Sequence, residues 1–85
     1  MIAKLSERDV AILAFEHAWH SHGGLKEQAI RTEFDLSAAR YYQLLARIID
    51  SPLALAHDPM LVKRLLRVRD ARSATRTARL LSQND

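Results

Sequence analysis

The side chains best suited to chemistry in this chain are hydrogen-bonding and cationic groups gathered in two places. Ser37, Ala39, Arg40, Tyr42, Gln43 and Arg47 fall within one short stretch, spaced so that a helix would turn them away from its apolar side. Lys63, Arg64, Arg67, Arg69, Arg72, Arg76 and Arg79 follow further on, with Asp70 as the only acid among them. The first group has the chemistry of base-edge recognition. Small residues at the start of such a helix permit close approach, and Gln43 can pair with adenine N6 and N7 or with another base edge. Arg40 and Arg47 can reach guanine or a nearby phosphate, and Tyr42 a phosphate or sugar. The second group has the chemistry of phosphate neutralisation, and ten of the thirteen basic residues are arginine, the better bidentate partner.

These residues need elements that present them. Residues 26–45 read as two helices joined by a tight corner. Ala29, Ile30 and Phe34 form the inner stripe of the first helix, Asp35 and Leu36 the corner, and Ser37 the N-cap of the second. The second helix extends to about residue 49, with Tyr41, Leu44, Leu45 and Ile48 on one side and Ala39, Gln43, Ala46 and Asp50 opposite. This is the layout of a helix-turn-helix, which sets its second helix in the DNA major groove. Two residues depart from the common pattern. Asp35 stands where glycine is usual and tolerates the left-handed region less cheaply. Arg31 stands where a small residue usually lets the helices press together, so its stem must snorkel outward or the crossing must open.

The other elements follow from caps and breakers. A helix starts near Glu7, capped by Ser6, with Leu5 and Val10 placed for a hydrophobic staple. Val10, Leu13, Ala14 and Ala18, with His17, are expected to face the core, while Ile12, Phe15 and Trp19 widen the adjoining face. Gly23 and Gly24 are expected to stop this helix. Ser51-Pro52 opens a short helix, and Asp58-Pro59 opens a last one of about 35 Å over residues 59–81. In that helix Leu61, Leu65 and Val68 share a sector that Arg69, Arg72, Arg76 and Arg79 continue. Its first half should therefore dock on the body and its second half project as a basic arm. The fold class predicted is all-α: a helical domain over residues 1–70 with a helix-turn-helix-like pair, and a basic helical extension over residues 71–85.

Charge supports a polyanionic partner. Residues 1–62 hold six Lys/Arg against eight Asp/Glu, a sum of −2, whereas residues 63–79 hold seven basic residues against one acid, a sum of +6. Other classes are disfavoured. There is no cysteine, which removes disulfides, thiolate metal sites and cysteine nucleophiles. His17 and His20 lie one turn apart with His22 and Glu16 near, but no third well-placed ligand accompanies them, so no metal or other cofactor is expected. No phosphate-cradling glycine loop or nucleophile–base pair is present, and no enzyme is expected. No apolar run approaches the ~18 residues of a membrane span, and no secretory leader is evident. A cytoplasmic, nucleoid-associated location is expected.

KEQAI at 26–30, SAARYYQLL at 37–45 and DPMLVKRL at 58–65, with ERDVAILAFEHAW at 7–19 upstream, occur together in this order. On these motifs the chain, over about residues 7–72, closely resembles a family of small uncharacterised actinobacterial and actinobacteriophage proteins, a domain of unknown function. The resemblance implies an all-helical cytoplasmic protein and carries no functional residue across. The RYYQ segment is also similar to the recognition-helix region of helix-turn-helix regulators, an analogy of fold only. The function expected is a DNA-binding regulator of transcription on double-stranded DNA, as a monomer or a homodimer. Two other readings stand beside it. The chain is suited to a protein-interaction module acting on the transcription machinery or a host protein through aromatic and arginine anchors. At its blandest, residues 37–49 form an amphipathic core helix and the arm is a solvated tail.

Overall fold

The computed structural model describes residues 4–19 and 25–83. Among them are five helices and no strand: α1 (Glu7–Trp19), α2 (Lys26–Phe34), α3 (Ala38–Ile49), α4 (Pro52–His57) and α5 (Pro59–Gln83). The Gly23-Gly24 stop, His20 and His22 lie outside the described residues. The caps act as the sequence predicts. Ser6 Oγ accepts from Asp9 N at 3.0 Å, Ser37 Oγ from Arg40 N at 3.2 Å and Ser51 Oγ from Leu53 N at 3.2 Å. Asp58 Oδ1 accepts from Leu61 N at 3.3 Å at the head of α5. Each satisfies a donor that the first helical turn would otherwise leave without a partner.

The core is assembled around α3, against which α1, α2, α4 and α5 all pack. Tyr41, Leu44, Leu45, Ile48 and Ile49 of α3 are buried with Ile12, Leu13, Ile30, Ala54, Leu61 and Val62. Placing the most strongly amphipathic helix at the centre lets one apolar face close against four neighbours, an efficient use of a short chain with little interior.

α1 is turned from the orientation predicted for it. Ala14, His17 and Ala18 are exposed and Val10 is only half-buried, while Ile12, Leu13 and Glu16 are buried. Ring area decides this. Phe15 stacks on Trp19 at 5.4 Å and meets Phe34 and Tyr41 edge-on at 5.4 Å and 5.8 Å. Covering two large rings outweighs covering the methyl groups of two alanines. His17 instead reaches sideways: its Nδ1 lies 3.1 Å from Asp58 Oδ2, linking the end of α1 to the head of α5.

The corner between α2 and α3 is as tight as expected. Asp35 adopts φ 56°, ψ 38° and donates its N–H to Arg31 O at 2.9 Å, ending α2 in the left-handed conformation. Arg31 is exposed, so its stem does leave the helix pair. Asp35→Gly should relieve the crowding of Cβ at positive φ, partly offset by a freer unfolded chain, for a net gain of about 0.5 kcal/mol. A rise in Tm of about 2–4 °C in a thermal melt would register it, and a fall would show that the carboxylate contributes more than the backbone loses.

α5 outruns the body. Leu61 and Val62 are buried and Leu65 and Leu66 are packed on the core, but every side chain from 67 to 81 is exposed, including Val68, which was expected to dock. The radius of gyration is 15.0 Å, against about 12 Å for a compact chain of this length. The helix begins beside His17 in the C-terminal half of α1 and has reached the C-terminal end of α3 by Arg69, whose Nη1 lies 2.8 Å from Asp50 Oδ1. The remaining turns therefore continue past that end of α3.

Candidate nucleic-acid interface

α3 presents what its sequence pattern promised. Ser37, Ala39, Arg40, Tyr42, Gln43, Ala46 and Arg47 are exposed, and Tyr41 beneath them is fully buried. No other part of the described chain covers this outward stripe. Arg40 Nη1 donates to Gln43 Oε1 at 3.4 Å. That distance is long for a hydrogen bond, so a base edge can displace it at little cost. Ser37 Oγ is occupied as an acceptor by its cap, which leaves its O–H able to donate to a phosphate. Tyr42 is held on its flank, with its ring against the edge of Tyr41 at 5.2 Å and Lys26 Nζ 5.3 Å from its centroid.

Beneath this surface lies a polar pin that sequence reasoning missed. Glu16 of α1 is 6 % exposed. Its carboxylate accepts the Tyr41 hydroxyl in a short hydrogen bond and meets Lys26 Nζ at 2.8 Å, joining α1, α2 and α3 at one point. Burial first, and then the hydrogen bond to Glu16, push the Tyr41 phenol well above its ordinary range, so the hydroxyl stays a donor. A signal for this was present. Glu16 follows Ile12 by four residues and Leu13 by three, which puts it on the face that those two bury, and a buried tyrosine needs an acceptor. Nothing local shows that the acceptor lies 25 residues away.

The seven basic residues of α5 divide into two sets. Arg69, Arg72, Arg76 and Arg79 continue the side of the helix on which Leu61 and Leu65 dock, and Arg72, Arg76 and Arg79 line one shallow groove with Ala71 and Thr75. Helical spacing places Lys63 and Arg67 on the opposite side, with the half-buried Arg64 on their flank. Arg69 is engaged by Asp50, and Asp70 lies 3.9 Å from its Nε. With both partners largely exposed, water screens this bridge, and it can open for a stronger anion. Asp50 falls in line with Ala39, Gln43 and Ala46, so the arginine side of α5 meets the outward stripe of α3 at that residue.

Among the described residues no group of three or more histidines, cysteines or carboxylates is placed to hold a metal. No helix among them is long and apolar enough to cross a membrane. No curated protein and no solved structure is detectably similar to the chain. A family model does match, over residues 4–77, from the start of the described chain through Arg76 of the arm. The chain belongs to that family, a protein of unknown function (DUF3263).

Proposed function

We propose that this protein is a DNA-binding helix-turn-helix regulator, nucleoid-associated in the cell, in which α3 enters the major groove and the arginines of α5 hold the phosphate backbone. The observation that carries the reading is the meeting of two surfaces at Asp50. An uncovered stripe bearing Gln43 ends where Arg69 lands, and three more arginines continue from there on the same side of one helix. Base-reading groups and backbone-holding groups thus share an edge, as groove recognition requires.

Arg40, Arg47, Arg69, Arg72, Arg76 and Arg79 would neutralise six phosphates, giving a slope of log affinity against log salt of roughly −5 or steeper. A mobility-shift titration of duplex DNA at two salt concentrations measures it. No shift at ~50 mM salt with folded protein removes the reading, and recovery of an acidic protein after nuclease treatment would then favour an interaction module. Gln43→Ala should cost about 1–3 kcal/mol on the preferred duplex and little on others, relaxing base preference without changing the salt slope.

A further inference from the structure

Three basic side chains outside the arm converge on a cleft of about 370 Å³ between the start of α1 and the C-terminal half of α3. Lys4 precedes the Ser6 cap, Arg8 lies in the first turn of α1, and Arg47 comes from α3; Leu44 and Ile48 form part of the apolar floor. Lys4, Arg8 and Arg47 are all exposed, and none is in an ion pair among the described residues. Asp9 is the one carboxylate on the lining, so the cleft carries a net charge of +2. Arg8 is a cation in the first turn of α1, between Glu7 and Asp9, where the helix dipole favours an anion that the guanidinium could bind.

We infer that this cleft is a phosphate-binding site for the backbone of one DNA strand. The inference rests on the DNA reading above and adds Lys4 and Arg8 to its contacts. Arg47 shares a flank of α3 with Arg40, so a backbone lying along that flank meets Arg40, Arg47 and then the Arg8–Lys4 pair. The arm begins elsewhere, at Asp50 beyond the C-terminal end of α3. The outward stripe therefore has one cationic rim beside it and another past its end. A duplex, with a phosphate strand on each side of its groove, supplies a partner for both rims, whereas a single small anion would occupy only the cleft.

The test is the salt dependence of duplex binding by the full chain and by two variants that lose the same charge. Wild-type protein should show a slope near −7, and Lys4→Ala/Arg8→Ala a slope near −5 with affinity reduced roughly 50-fold at 0.1 M salt. Arg31→Glu, which changes the charge by two at an exposed residue of α2 belonging to neither rim, should stay within a few-fold of wild type. All three side chains are exposed, and helical circular dichroism checks that each variant is folded. If wild type binds and Lys4→Ala/Arg8→Ala binds equally well, the cleft is not a contact, although the DNA reading stands. Equal losses in the two variants would make the effect one of net charge and overturn the site. Inorganic phosphate alone, titrated against the backbone amides of residues 6–9, should cause no saturable shift at low millimolar concentration. Saturation there would assign the cleft to a free anion instead. Failure of wild type to bind duplex would remove both proposals.

Discussion

Replacing Tyr41 by alanine is expected to leave much of the protein unfolded at 25 °C. A chain of 85 residues has a stability of about 4–13 kcal/mol in total. Removing a fully buried aromatic ring costs about 3–5 kcal/mol. The loss also takes a hydrogen-bond partner from the buried Glu16 carboxylate, at about 1–3 kcal/mol more. Those two costs together reach the range of the whole. Tyr41→Phe separates them: the ring contacts to Phe15 and Phe34 remain while the hydroxyl goes, so a loss of only about 1–3 kcal/mol is expected in urea unfolding. The same pair of proteins carries a pH signature. The folded phenol is held protonated above the ordinary value of 10.0, so its contribution is complete below that pH. Above it the unfolded chain releases a proton that the folded chain keeps, and stability falls with rising pH by about 1.4 kcal/mol per unit. Wild type should therefore lose its advantage over Tyr41→Phe as pH rises above about 10. A constant difference across that range would show that the phenol releases its proton in the folded protein as it does in the unfolded chain, neither buried nor held by Glu16.

α3 was legible because several signals agree on it. Ser37 caps it, its apolar residues keep a single helical phase, and the residues opposite are polar or small, so local preference and tertiary burial ask for the same orientation. α1 was not legible in the same way. Apolar residues lie on two overlapping faces, one through Val10, Leu13, Ala14 and Ala18, the other through Ile12, Phe15 and Trp19, and periodicity cannot rank them. What ranks them is contact with Phe34 and Tyr41, which belong to other helices. Glu16 was obscured for a related reason. A carboxylate on a helix reads as solvent-facing unless its partners are known, and here they are Tyr41 and Lys26. In the arm, spacing alone put Arg69, Arg72, Arg76 and Arg79 on the side of Leu61 and Leu65, because one uninterrupted helix keeps its phase. The position of that side relative to α3 became visible only through the Arg69–Asp50 bridge, since no local pattern encodes how two helices cross.

Arg72→Ala/Arg76→Ala/Arg79→Ala should abolish most DNA affinity while leaving the fold intact. These side chains lie beyond the last packed residues of α5, Leu65 and Leu66, so the core loses nothing. Alanine is also the better helix former, by a few tenths of a kcal/mol per residue at most, so the arm stays at least as helical as before. Arg69 is left in place because its bridge to Asp50 ties the arm to α3, and removing it would mix positioning with phosphate contact. With three phosphate contacts gone, the salt slope should flatten by about 3, and at 0.1 M salt affinity should fall roughly 10²–10³-fold on every sequence alike. The uniformity across sequences separates this loss from that of Gln43→Ala, which should be confined to the preferred site. Unchanged affinity with an unchanged melt would mean that the projecting turns of α5 do not touch the duplex. Wild-type DNA binding would then depend on α3 and the groups beside it, and the arginine side of the arm would be serving an acidic protein surface instead.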